Sequence, residues 1–130
     1  MRYIICLTAG LALCATSQAA LAKAKPATAG FEIKGTSWTY VDPDKKVKAQ
    51  ESVDADGNYI ENAVSGKHID HGTAVMKGGK ACFTSAMNND GESCWTTHPT
   101  KIGHSMVTTS DKGQKLKVTR VAYVPMSMPK

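Results

Sequence analysis

The chain has 130 residues, of which 42% are hydrophobic and 21% are charged, and 16 basic residues against 11 acidic ones give a formal net charge of +5 at pH 7. This composition is typical of one ordinary globular domain. It excludes a collagen, a coiled coil and a strongly charged disordered tail.

The start of the chain has the layout of an export signal. Arg2 supplies a positive charge, residues 4–13 form an apolar run, and either Ser17-Gln18-Ala19 or Ala20-Leu21-Ala22 offers small residues for cleavage. The apolar run is too short to cross a bilayer, and no later segment is long enough to do so. We therefore predict a signal peptide over residues 1–22 and a soluble protein that is periplasmic or secreted, with no transmembrane segment.

The remaining chain shows the pattern of a β-protein. Residues 23–30 have no apolar periodicity, which predicts a flexible leader before a single β-domain over residues 31–130. Short runs of strand-forming residues alternate with turn signals from Phe31 onward, and no stretch of eleven residues keeps a helical apolar period. We predict an all-β fold, a small antiparallel meander or barrel of seven to eight strands with one hairpin disulfide.

Three turn sequences predict how neighbouring strands are paired, since loop length and turn residues set the register of a hairpin. Each turn places apolar residues opposite one another: Asp56-Gly57 pairs Val53 with Ile60, Gly78-Gly79 pairs Ala74 with Phe83, and the turn over residues 110–114 pairs Met106 with Val118. The apolar residues of each hairpin therefore share one face.

Two of the four cysteines, Cys6 and Cys14, lie inside the predicted signal peptide. The other two, Cys82 and Cys94, are twelve positions apart in a chain expected to reach an oxidising compartment, which indicates one disulfide. A redox or catalytic pair would normally have the closer C-x-x-C spacing. Pairing Cys82 with Cys94 in one ladder predicts a long loop centred on Asn88 and no tight turn there.

The aromatic residues are predicted to be core. Phe83 and Trp95 each follow a bridged cysteine, so both rings should lie on the sheet face opposite the disulfide. Trp38 and Tyr40 are two positions apart in the first predicted strand and should share one side of the sheet. An exposed pair of tryptophans would leave the core short of its largest apolar surfaces.

His68-Ile69-Asp70-His71 is the densest cluster of titratable residues after the signal. On a helix His68 and His71 would share a face, as zinc ligands do, but on a strand positions three apart point to opposite sides. The surrounding sequence is strand and turn, so we do not expect this pair to chelate by itself. A site would require His98 or His104 to lie near it in space.

The methionines allow a soft-metal interpretation. His104-Ser105-Met106 and Met126-Ser127-Met128 place possible ligands two positions apart, and thioethers with imidazole select copper(I). The alternative function is therefore a copper-type binding protein that uses His104 and Met106 with His68 and His71. A buried Met106 that fills a gap in the core is the simpler interpretation.

Catalytic signatures are missing from the sequence. It contains no nucleophile elbow, no H-E-x-x-H motif and no clear carboxylate pair, so we predict no enzyme activity, no catalytic residues and no cofactor. A small periplasmic enzyme is the weakest alternative. The basic residues are scattered lysines without interleaved aromatics, which predicts a solvated charged face and no nucleic-acid partner.

Several segments recur in the order found in a known group of proteins: Asp54-x-Asp56-Gly57-Asn58-Tyr59, Gly66-Lys67-His68-Ile69-Asp70-His71-Gly72-Thr73-Ala74, Gly78-Gly79-Lys80-Ala81-Cys82-Phe83 and Cys94-Trp95. In these segments the chain resembles small exported proteins of alphaproteobacteria, notably of sphingomonads. The resemblance implies a small β-domain with one cysteine pair and brings no catalytic residues. We expect a monomeric periplasmic domain that binds an envelope component, a partner protein or a small ligand.

Overall fold

The computed structural model describes residues 30–128, which form eight strands and no helix. The strands are β1 (Thr36–Val41), β2 (Lys48–Val53), β3 (Asn58–Ala63), β4 (His68–Lys77), β5 (Lys80–Ser85), β6 (Glu92–Thr96), β7 (Ser105–Thr109) and β8 (Lys115–Val121). This confirms the predicted all-β class and strand number. Within the described range there is consequently no helix that could span a membrane. The predicted signal peptide, its two cysteines and residues 23–29 of the predicted leader lie outside the described residues.

All eight strands belong to one antiparallel sheet with the order β6-β5-β4-β3-β2-β1-β8-β7. The two ends of this sheet meet at a seam between β6 and β7, so that the sheet is a nearly closed barrel. A single bridge joins Trp95 to Ser110, and side chains supplement it: the Thr108 hydroxyl donates to the Thr96 carbonyl over 2.7 Å, and the Thr109 N–H donates to Thr96 Oγ1 over 2.9 Å.

Two of the three predicted hairpin registers are confirmed. Ala74 lies opposite Phe83 across the Gly78-Gly79 turn, and Met106 lies opposite Val118 across the last turn. Both glycines of the first turn have positive φ, 54° and 77°, the left-handed conformation that glycine adopts without steric cost.

The register predicted for Asp56-Gly57 is wrong by one residue, because Val53 pairs with Tyr59 and not with Ile60. The Asp54 carboxylate accepts the N–H groups of Asp56 and Asn58 over 2.9 and 2.8 Å, which lengthens the loop to three residues. The side-chain amide of Asn58 also donates to this carboxylate, and these bonds lower the pKa of Asp54. Since a one-residue slip exchanges the two faces of a strand, β3 turns Tyr59 inward.

The disulfide between Cys82 and Cys94 is confirmed. The two cysteines lie directly opposite each other on β5 and β6, with their Cα atoms 4.0 Å apart. The loop between these strands spans residues 86–91, as the long loop centred on Asn88 requires. The bridge therefore ties β6, one edge of the seam, to the rest of the sheet.

The main core lies inside the barrel. Trp38 is buried at 3% exposure, and the Phe31 ring meets it edge-on at 5.8 Å between centroids. Tyr40 packs partly buried against the same cluster, as its predicted orientation requires. Trp95 differs from the prediction, because it faces an interior cavity and is only half-buried.

We expect the double variant C82A/C94A to melt about ten degrees or more below the wild type. Closing a loop of this length stabilises a domain by about 3 kcal/mol, and each 1 kcal/mol shifts the Tm of a domain of this size by about 4–8 °C. Thermal unfolding followed by circular dichroism measures the difference. Two free thiols in the oxidised wild type under denaturing alkylation, or an unchanged Tm, would contradict it.

Candidate functional site

A cavity of about 320 Å³ lies inside the barrel, beside the main core. It extends to exposed loop residues at one end of the barrel, including Asp44 between β1 and β2 and Asn88 between β5 and β6. This end is the mouth of the cavity. The opposite end is filled by the buried side chains of Ile33, Trp38 and Val53.

Three carboxylates form a row across the wall of this cavity. Glu51 on β2 lies directly opposite Glu61 on β3, and Glu61 lies directly opposite Asp70 on β4. Trp38 continues the row on β1, opposite Glu51. Because charged carboxylates in directly opposed positions destabilise a sheet, this row opposes folding once its members are ionised, and it calls for a functional explanation.

Asp70 has hydrogen-bond donors for both of its oxygens. The Tyr59 hydroxyl donates to Oδ2 over 2.8 Å, while the Ser85 hydroxyl and the His71 N–H donate to Oδ1 over 2.6 and 2.8 Å. Gly72 lies opposite Tyr59, and a side chain at this position would collide with the Thr84 carbonyl oxygen. Asp70 is therefore held in place by the protein itself.

Glu51 and Glu61 are held far less completely. Their exposures are 9% and 8%, and Glu61 Oε1 has no hydrogen-bond partner among residues 30–128. Glu51 Oε2 accepts one bond from the Tyr40 hydroxyl, at 3.3 Å. A buried polar atom without a partner costs about 1–3 kcal/mol, so Glu61 presents an unused acceptor to the cavity.

Burial raises the pKa of both glutamates, because a charged carboxylate loses its hydration there. The pKa of Glu51 rises to about 8, with the Glu61 charge adding to the effect, and that of Glu61 rises to about 7. Burial and the neighbouring Glu51 also raise the pKa of Tyr40, which stays a neutral donor. At pH 7 the carboxyl groups of the cavity thus hold protons that a bound cation could replace.

Acidic residues predominate around the cavity, although the whole chain has a net positive charge. Lys112 is the one basic residue that lines it within the described part of the chain. Six of the eleven acidic residues do so: Asp42, Asp44, Glu51, Glu61, Asp70 and Asp90. Charges of one sign lining a cleft with low-dielectric walls concentrate the opposite charge.

Aromatic rings form the rest of the wall. Trp38, Tyr40, Tyr59, Phe83 and Trp95 all line the cavity. Tyr59 and Phe83 meet edge-on at 5.3 Å between centroids, which fixes both rings. Aromatic faces attract cations, and groups of aromatic rings are a recurring arrangement for binding quaternary ammonium groups.

The three carboxylates are too far apart to hold one metal ion together. In the described residues, the group of three His, Cys, Asp or Glu side chains whose ligand atoms lie within 4.8 Å of one another is Cys82, Glu92 and Cys94. Both of those sulfurs are consumed by the disulfide. The cavity is consequently better suited to an organic cation than to a chelated ion.

The prediction that His68 and His71 point to opposite sides is wrong. Asn62 pairs with His68 while Glu61 pairs with Asp70, so Ile69 is an extra residue in a β-bulge. The bulge turns both histidines to the outer face, with His68 Nε2 and His71 Nδ1 3.1 Å apart. A bulge shifts the alternation of side chains by one position.

The structure does not bring the other predicted metal ligands to this pair. His104 is exposed just before β7, and Met106 packs partly buried against the main core. Between β4 and β7 lie the strands β5 and β6. Met126 and Met128 lie beyond β8, in the final segment of the described chain. The four residues of the proposed soft-metal set therefore do not form one site.

The acidic row was not predicted from the sequence, in which Glu51 and Glu61 are ten positions apart and form no recognisable pair. One signal was present, since Glu51 interrupts the apolar alternation of Ala49 and Val53, and Glu61 lies between Tyr59 and Ala63 in the same way. A charged residue within an inward-facing stripe indicates a functional position. Recognising that the two face each other requires the register that Asp54 sets.

Comparison of this chain with models of protein families, with curated proteins and with solved structures gives no match. The function of the cavity is therefore inferred from its own geometry and charge.

We expect Glu51→Gln to raise the Tm at pH 8.5 by several degrees and to change it little at pH 4.5. Both glutamates titrate above the ordinary value of 4.5, so between pH 4.5 and about 8 the folded state binds more protons than the unfolded state. The free energy of unfolding therefore falls as the pH rises through this window. Thermal unfolding at a series of pH values measures the effect.

The matched control is Glu32→Gln, which changes an exposed carboxylate outside the cavity. Its Tm should follow the wild type at every pH. If the curves of Glu51→Gln and the wild type also run parallel, Glu51 is not titrating in the folded protein as described.

Proposed function

We propose that the protein is an exported binding protein that holds a small organic cation inside its barrel. The observation that carries this proposal is the concentration of six of the eleven acidic residues around one cavity of a chain with net charge +5. The ligand's ammonium or guanidinium group lies beside Glu51 and Glu61. Its apolar part packs against the ring of Phe83.

The unpartnered atom Glu61 Oε1 supports a ligand that donates hydrogen bonds. A protonated primary amine or a guanidinium supplies N–H donors together with positive charge, and a hydrogen bond to a charged group contributes about 1.5–3 kcal/mol. Binding would also remove the repulsion between Glu51 and Glu61. A ligand without a positive charge would leave both effects uncompensated.

The size of the cavity supports a small ligand. Its volume of about 320 Å³ lies at the lower end of the range for small-molecule sites, which is about 300–1,000 Å³. Acidic side chains at the mouth, Asp42 and Asp44 among them, would attract a cation as it approaches. The proposal is therefore for one small cation per barrel.

The exported location in this proposal rests on the signal-like residues 1–22. The disulfide is consistent with it, because such bonds persist in oxidising compartments.

Four probes of similar size test the proposal: benzylamine, benzyltrimethylammonium, benzyl alcohol and benzoate. We expect the two cations to bind, benzylamine more tightly because it can donate to Glu61, and the neutral and anionic probes to bind at least tenfold more weakly. Isothermal titration calorimetry measures the affinities, and the fluorescence of the cavity-lining Trp38 and Trp95 provides a second readout.

Glu61→Gln should weaken benzylamine binding by about tenfold or more, since it removes the charge and half of the acceptor capacity at the unpartnered position. Glu32→Gln should bind like the wild type. Equal binding of benzylamine and benzyl alcohol, or an unchanged affinity in Glu61→Gln, would show that the cavity does not select organic cations.

Binding of benzyltrimethylammonium should strengthen as the pH rises from 6 to 8.5. This probe keeps its charge throughout, so the change reports the protein: lowering the pH through the raised pKa values of Glu51 and Glu61 protonates the carboxylates that attract it. One displaced proton changes the affinity by up to about tenfold per pH unit. An affinity independent of pH over this range would exclude these two residues as the binding groups.

A further inference from the structure

The outer face of β4 carries a second arrangement, separate from the cavity. His68 Nε2 lies 3.1 Å from His71 Nδ1, and the ring centroids are 5.2 Å apart. Both side chains are half-buried, so each is partly open to solvent. The bulge at Ile69 creates this contact, because regular alternation would place the two rings on opposite faces.

The spacing of the two nitrogens matches that of two ligands on one metal ion. Imidazole nitrogens bind Zn²⁺ at about 2.0–2.1 Å, which places two of them about 2.9 Å apart at a right angle and about 3.4 Å apart at the tetrahedral angle. The observed 3.1 Å lies between these values. The two nitrogens are therefore already at a separation that one ion can bridge.

Asn62 holds the first of these rings in the form that a metal requires. Its Oδ1 lies 2.8 Å from His68 Nδ1 and, as an acceptor, keeps the proton on that nitrogen. The lone pair of His68 is therefore on Nε2, the atom that faces His71. Ligating histidines usually donate their other N–H to an oxygen in this way.

We propose that His68 and His71 form a two-imidazole chelating site for a divalent transition metal, with Cu(II) preferred. Imidazole suits copper, nickel and zinc, and affinity for the divalent ions is highest for copper. When the ion binds, the proton on His71 Nδ1 moves to Nε2, and both facing lone pairs coordinate the ion. Since no third His, Cys, Asp or Glu of residues 30–128 lies close enough, solvent completes the coordination.

This proposal does not depend on the proposed function of the cavity. The histidines point outward from β4, whereas Asp70 between them points inward and is held by Tyr59 and Ser85. Failure of organic cations to bind would therefore leave the metal site untouched, and the reverse also holds.

Titration of the mature protein with Cu(II) sulfate in a non-coordinating buffer tests the site. We expect one Cu(II) bound through two nitrogens, seen as nitrogen hyperfine structure in the electron paramagnetic resonance spectrum. His68→Ala and His71→Ala should each weaken binding by about tenfold or more, and Asn62→Ala by about tenfold through loss of ring orientation. The matched control is H98A/H104A, which removes two exposed histidines elsewhere and should bind as the wild type does.

The imidazole NMR signals of the wild type give a test that needs no variant. Adding Zn(II) should shift the signals of His68 and His71 and leave those of His98 and His104 in place. Equal shifts at all four histidines, an affinity for Cu(II) unchanged in H68A/H71A, or no binding by the wild type would each overturn the proposal.

Discussion

The arrangement of the barrel interior depends on a contact in an exposed loop. There the Asp54 carboxylate accepts hydrogen bonds from two backbone N–H groups of the same loop. These bonds add a residue to the loop between β2 and β3 and thereby select which side of β3 faces the barrel. With that register, Glu61 enters the interior opposite Glu51. One exposed loop thus determines the charge of a buried wall, because side chains alternate strictly along a strand.

The acidic wall also explains why this small barrel needs other sources of stability. Two neighbouring glutamates with raised pKa values favour unfolding at neutral and higher pH, since the unfolded chain hydrates their charges fully. The disulfide, the edge-on aromatic pairs and the hydrogen bonds that hold Asp70 act in the opposite direction. A domain that only needed to fold would be more stable without the acidic row. A row that binds a cationic ligand accounts for this cost in stability.

Much of the fold was predictable because its determinants are local. Gly78-Gly79 and the cysteine pair each specify one register by themselves, and both registers are present. Asp56-Gly57 predicted the wrong register because the dipeptide itself does not show that the Asp54 side chain will bond to the loop and lengthen it. The bulge at Ile69 could not be predicted either, because no residue in the His68–His71 segment requires it. The bulge arises from the pairing of β3 with β4 along their length. The candidate site could not be assembled from sequence for the same reason: its members meet only across strands whose registers depend on these two irregularities.

The incomplete closure of the barrel has a consequence for how the molecule meets copies of itself. β6 and β7 are the two edge strands and, with five residues each, are the shortest of the eight. Exposed strand edges are templates on which another chain can add a strand, and short or covered edges resist this. Here the two edge strands bond to each other. Thr96 and the Trp95–Ser110 bridge occupy backbone and side-chain polar groups that would otherwise be free at the edges. The seam therefore leaves fewer free backbone groups on which a second copy of the chain could add a strand.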